Sequence, residues 1–162
     1  VLNRNIEINQ LEKKVLALGI AFNDVTRLDQ FYMSNTEIGS ALHSFSQATD
    51  WQGKPFLPSF TQGVIGFAID DFIRDFGPKF PTYIKIDVDG IENKIVEGGR
   101  KTISDPRLKS MLVELDENQP EITRNVIAII EQAGLKLSAK KHASVIDDSE
   151  FASVYNYFFW RP

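Results

Sequence analysis

Residues 83–99 read Tyr-Ile-Lys-Ile-Asp-Val-Asp-Gly-Ile-Glu-Asn-Lys-Ile-Val-Glu-Gly-Gly, and two periods meet inside them. Tyr83, Ile84, Ile86 and Val88 make a strand, while Ile91, Ile95 and Val96 give a helical face that Gly98 and Gly99 stop. A strand that feeds a helix through an acidic turn is the unit of an α/β layer. The pattern repeats downstream. Met111, Leu112, Val113 and Leu115 form a second strand ending in Glu114, Asp116 and Glu117. Beyond Pro120, the residues Ile122, Val126, Ile129, Ile130 and Ala133 mark a helix of about three turns with Gly134 at its cap. Leu135 to Ala139 and Ser153 to Trp160 complete the set as strands, with Phe158, Phe159 and Trp160 supplying core side chains and Lys140, Lys141 and His142 a solvated turn. The predicted architecture is an α/β layer with parallel central strands.

Upstream, Ile69, Phe72, Ile73 and Phe76 predict a short helix closed by Gly77 and Pro78. Val15 to Phe22 is a nearly continuous apolar run and predicts a strand buried on both faces. Leu2 and Ile6 predict the last turns of a helix ending near Asn9 and Gln10. Between Thr26 and Gly66 the turn-rich sequence predicts short antiparallel pieces, among them a strand at Leu28 to Met33.

With 162 residues, 43% of them hydrophobic, and 12 Phe, the chain holds enough apolar material for one core, and we expect a single domain over residues 1–162. The net charge of -4 comes from 18 basic and 22 acidic residues spread evenly, so neither a nucleic-acid footprint nor a polybasic membrane anchor is expected. No apolar run approaches the roughly 20 residues of a membrane helix. The absence of cysteine excludes thiol nucleophiles and disulfide scaffolds, two histidines leave little for a metal site, and the expected location is the cytoplasm.

In an open parallel sheet, ligands bind beyond the carboxyl ends of the strands, and both strand ends here are acidic. Asp87, Asp89 and Glu92 are the candidate catalytic residues, and Glu114 and Asp116 at the next strand end are candidate substrate-binding residues, with Ser40 and His43 added from the variable region. Carboxylates crowded into one crevice raise at least one pKa, which suits general-base work, cation binding or hydrogen bonding to a ligand's hydroxyl and ammonium groups. The same acids also serve as helix caps and turn formers.

The stretch from Tyr83 to Gly99 resembles the FkbM-type methyltransferases. It has companions in order: Asn5 and Asn9 at a helix end, a strand ending at Ala21, Gly39-Ser40, Ile69-Asp70-Asp71-Phe72, Met111 to Glu117 and Asn156-Tyr157-Phe158-Phe159. Asp89 stands where that family often has Glu. The resemblance implies S-adenosylmethionine as cofactor, Ala21 and Phe22 flanking its adenine, and a methyl acceptor bearing a hydroxyl, such as a sugar or secondary metabolite. It also implies a Rossmann-like sheet of order 3-2-1-4-5-7-6. Because no G-x-G follows a strand before Asp87 and the chain starts at Val1, the expectation is that strands 3 to 7 are retained while strands 1 and 2, with the Gly-rich loop, lie outside the chain. Such a piece is expected to be inactive, to bind no appreciable S-adenosylmethionine, and to form a homodimer through an uncovered sheet edge or to repack Val15 to Phe22 against Tyr83 to Val88. Asp-x-Asp-Gly after a strand also resembles the haloacid-dehalogenase-type phosphohydrolases, with Mg²⁺ as cofactor and Asp147 and Asp148 as the later acidic pair. A non-catalytic dimerising module is the third reading.

Overall fold

A strand covered on one face must alternate, and the stretch Ser110–Asp116 does: Met111, Val113 and Leu115 are buried while Leu112, Glu114 and Asp116 are half-buried. That strand sits inside the larger of two units into which the chain divides. The structure, a computed structural model, describes residues 1–39, 43–50, 53–142 and 151–162. One unit comprises residues 1–21 and 28–65; the other comprises 22–27 and 66–162.

The first unit opens with helix α1 (Leu2–Ile8), which buries Ile6. Strands β1 (Ala21–Phe22), β2 (Arg27–Met33), β3 (Ser44–Phe45) and β4 (Phe60–Phe67) form a sheet of order β1-β4-β2-β3, and β2 pairs antiparallel with β3, Phe31 opposite Phe45. The expected antiparallel pieces are therefore present, with β4 longer than the sequence predicts. The buried strand expected at Val15 to Phe22 is not. Only Ala21–Phe22 pairs, and Leu16 is 82% exposed. A continuous apolar run marks a buried strand only when neighbours cover both its faces, and Gly19 weakens a strand interior.

The second unit contains α2 (Ile69–Phe76), β5 (Tyr83–Ile86), α3 (Glu92–Glu97), α4 (Arg100–Ser104), β6 (Ser110–Asp116), α5 (Pro120–Gln132), β7 (Lys136–His142) and β8 (Val154–Trp160). Its sheet has the order β5-β6-β8-β7. β5 and β6 are parallel, with Tyr83 beside Ser110 and Ile86 beside Val113. β8 is antiparallel to both β6 and β7, which corrects the expectation of parallel central strands. A parallel neighbour needs a crossover of a dozen or more residues, usually a helix, and no described element lies between β7 and β8. Lys140, Lys141 and His142 belong to β7 rather than to a turn. Among the described strands, β6 is the partner of β5.

The core of this unit gathers Ile69 from α2, Ile95 and Val96 from α3, Ile103 from α4, Val126, Ile129 and Ile130 from α5, and Met111, Val113, Leu115, Tyr157 and Phe159 from the sheet. Two features of the α3–α4 junction hold it. Gly98 has φ -68°, an ordinary helical value, so conformation does not demand glycine there. Space does: a Cβ on Gly98 would lie 2.1 Å from the Asn23 carbonyl oxygen. The Gly98 carbonyl in turn accepts the Asp70 N–H at 2.9 Å. Asp70 then caps α4 from 31 residues away, its carboxylate accepting the Lys101 N–H at 2.9 Å, the Thr102 N–H at 2.8 Å and the Thr102 hydroxyl at 2.7 Å. A capping carboxylate of this kind stabilises a helix by about 1 kcal/mol. α4 was hidden from the sequence because Gly98-Gly99 reads as a stop, whereas the chain merely kinks and resumes.

Candidate functional site

The parallel register of β5 and β6 builds the site. Ile86 lies beside Val113, so Asp87 and Glu114 come next, side by side at the carboxyl end of the pair. Alternation puts Lys85 on the same side as Asp87, and the Lys85 Nζ lies 2.6 Å from Asp87 Oδ2. β5 stops at Ile86, short of the predicted Val88, because the chain turns at Gly90, whose φ of +92° is a conformation that L side chains rarely adopt. The turn returns the chain into α3 and aims Glu92 inward. Glu92 is 5% exposed, and its Oε1 accepts the Gly90 N–H at 3.1 Å.

Burial pushes the Glu92 carboxyl up to about 7, with the charges of Asp89 and Glu114 adding and the backbone N–H groups of Glu92 and Gly90 opposing. Glu114 is also pushed up to about 7, by desolvation first, then by the charge of Asp87 and a hydrogen bond with it, and by the charge of Asp89; Lys85 acts in the opposite direction. Asp87, Asp89, Glu92 and Glu114 therefore form one interacting cluster.

The Glu92 shift fixes a pH dependence. Its folded pKa of about 7 stands above the ordinary 4.5, so its stabilising contribution is fully present below pH 4.5 and is lost as pH rises through about 7. Glu92→Gln keeps an acceptor for the Gly90 N–H and removes the charge. At pH 8 we expect the variant to be more stable than the wild type by about 3 kcal/mol, and near pH 4 to match it, as measured by urea unfolding across that range.

The remaining candidates fall elsewhere. Asp116 ends β6, and its carboxylate accepts the Asn118 N–H at 2.9 Å while its carbonyl accepts the Gln119 N–H, so it turns the chain toward α5. His43 belongs to the first unit, where its Nδ1 lies 3.5 Å from the Ser34 hydroxyl and its ring meets Phe31 edge-on. Ala21 also belongs to the first unit and Phe22 to the second, where Phe22 packs edge-on against Phe72 at 5.5 Å. Ser40, Asp147 and Asp148 lie outside the described residues. Among the described residues no group of three or more His, Cys, Asp or Glu is placed to hold a metal ion, and no helix is long and apolar enough to cross a membrane.

Two residues the sequence reading passed over belong beside these. Lys85 lies inside the central motif, and its spacing of two from Asp87 on a strand was the available signal. Asn23 is fully buried, and neither its amide nitrogen nor its amide oxygen has a hydrogen-bond partner among the described residues. No sequence pattern marks a buried asparagine.

An α/β unit with a mixed sheet and a carboxylate cluster beyond the ends of its parallel strands is the architecture of enzymes that take a small ligand at that edge. The chain matches the model of the methyltransferase FkbM domain over residues 2–137, and it belongs to that family. No curated protein and no solved structure matches it significantly.

The residues present fit the cofactor that FkbM methyltransferases generally use. S-adenosylmethionine carries a sulfonium and an ammonium, which the carboxylates of Asp87 and Asp89 would complement, while the carboxyls of Glu92 and Glu114, pushed up to about 7, would offer hydrogen bonds. The orphaned Asn23 amide, one residue after Phe22, offers a donor and an acceptor of the kind an adenine edge would satisfy.

Proposed function

We propose that the protein carries out S-adenosylmethionine-dependent methylation of a hydroxyl oxygen on a sugar or similar secondary metabolite, with Asp87 as the base. The supporting observation is the placement of Asp87 and Glu114 side by side at the ends of adjacent parallel strands, with the buried Glu92 beside them. The mixed α/β sheet of order β5-β6-β8-β7 supports this reading.

S-adenosylmethionine, when bound, would supply an electrophilic methyl carbon and take back the electron pair of the methyl–sulfur bond. Phe22 and Asn23 would hold the adenine. Asp87 accepts the proton that the acceptor hydroxyl loses. Asp89 and Glu92 take hydrogen bonds from the acceptor's other hydroxyls and fix which oxygen faces the methyl group. Displacement at carbon depends on in-line alignment, so orientation by these carboxylates contributes more than base strength does.

Asp87→Asn keeps the shape of the side chain and removes the base. Incorporation of labelled methyl from S-adenosylmethionine into a polyhydroxylated acceptor is expected to fall about a hundredfold in kcat. Turnover at the wild-type rate would remove Asp87 from the mechanism.

A further inference from the structure

Two carboxyl groups on neighbouring strands cannot both ionise freely, and something must decide which of them is charged. The structure contains a device for that decision. On β5, Lys85 forms an ion pair with Asp87 at 2.6 Å. On β6, Glu114 has Leu112 as its next neighbour on the same face, and Leu112 lies beside Lys85 in the ladder. The cation therefore reaches along its own strand to Asp87, while Glu114 is half-buried against Asp87 and is paired across the sheet with the neutral Asn156 of β8. The other charged groups on elements packed around the pair are Asp89 in the turn, Glu92 at the start of α3, Asp116 further along β6, and Lys141 of β7, which is in register with Asn156 one strand beyond. Among these, Lys85 is the cation in contact with the pair.

We propose that Lys85 is a positioning residue of this site: its ion pair fixes the negative charge on Asp87 and leaves on Glu114 the proton that the two strands hold between them. This rests on the reading of Asp87 as the base. The acceptor then meets two different groups at one edge, a carboxylate from β5 that takes the hydroxyl proton and a carboxylic acid from β6 that donates a hydrogen bond. The atoms balance with the pair as it stands: the acceptor's proton passes to Asp87, the oxygen's freed electron pair forms the bond to the methyl carbon, and the proton on Glu114 does not move. The titration behaviour agrees with this division of roles, since Glu114 is the member pushed up to about 7 and the hydrogen bond to Asp87, followed by its charge, holds Lys85 above the usual lysine range.

The test is a carboxyl-carbon NMR titration of the ligand-free protein labelled at glutamate, which needs neither cofactor nor acceptor. Glu114 is expected to titrate near 7 in the wild type. In Lys85→Met it should titrate about half a unit higher, in Lys85→Arg near the wild-type value, and in Asp87→Asn lower, toward the ordinary carboxyl range. Lys85 is exposed, so the methionine variant is expected to fold, and the arginine variant provides a folded control in any case. A Glu114 midpoint in Lys85→Met equal to that of the wild type overturns the proposal. A second readout separates it from the reading it rests on. If the titrations behave as stated but Asp87→Asn methylates at the wild-type rate, the base assignment fails and the Lys85 pairing stands. If Asp87→Asn is inactive and the Glu114 midpoint ignores Lys85, Asp87 keeps its role and Lys85 loses its own.

Discussion

Gly98→Ala is expected to lower the stability of the second unit by about 3 kcal/mol, with a fall in Tm of about 10 °C. The added methyl would sit 2.1 Å from the carbonyl oxygen of Asn23, and 3.1 Å from that carbonyl carbon and from the Asp24 Cα. All three are backbone atoms, so no side chain can swing aside to make room. Relief requires that the chain at Asn23–Asp24 and the end of α3 move apart, and the Asp70 N–H would then lose the Gly98 carbonyl it bonds at 2.9 Å. The control is Gly19→Ala. A Cβ there meets nothing within 4 Å, and thermal unfolding should show a change of less than about 0.5 kcal/mol. Equal effects at the two glycines would show that the close approach of Gly98 to Asn23 does not limit stability.

Arg161→Met is expected to cost about as much, close to 3 kcal/mol, for an electrostatic reason rather than a steric one. The guanidinium donates to three carbonyls: Nε to Leu108 at 3.0 Å, one terminal nitrogen to Ala133 at 2.9 Å, and the other to Ile103 at 2.6 Å. Ala133 is the C-cap of α5, and Ile103 lies in the last turn of α4, so one side chain satisfies carbonyls at two helix ends and neutralises both dipoles. Methionine keeps the aliphatic stem and abandons all three oxygens. Arg161→Lys should recover only part of the loss, because a single ammonium cannot reproduce the planar fork. Chemical denaturation of the three proteins reads this directly. A loss under 1 kcal/mol in the methionine variant would mean that solvent takes over the carbonyls and the fork carries little.

The sequence displayed the second unit well where a period was long enough to count. The run from Ile122 to Ile130 has a helical stripe and lies within α5; Met111 to Leu115 alternates and lies within β6. Val15 to Phe22 failed as a strand for a reason composition cannot reveal, since apolar residues specify burial only when the fold supplies something to cover them. β8 was found as a strand, but its direction followed from connectivity, which hydrophobic patterning does not encode. The acidic cluster was legible because Asp87, Asp89, Glu92 and Glu114 lie next to clear strand ends. Lys85 was not singled out because a lysine on a strand ordinarily signals a solvated face, and its role depends on the 2.6 Å contact. Arg161 and Gly98 were silent for a related reason: their partners lie 28 to 75 residues away along the chain.

The reach of Asp70 to the start of α4 has a consequence for how the second unit comes together. A five-residue helix has no stability of its own, and the groups that would cap it locally are replaced by a carboxylate carried on α2. Neither helix can be completed alone, since the Asp70 amide needs Gly98 and the Lys101 and Thr102 amides need Asp70. Opening one helix unlatches the other, which makes the pair a single cooperative element whose two halves lie on either side of β5 in the chain.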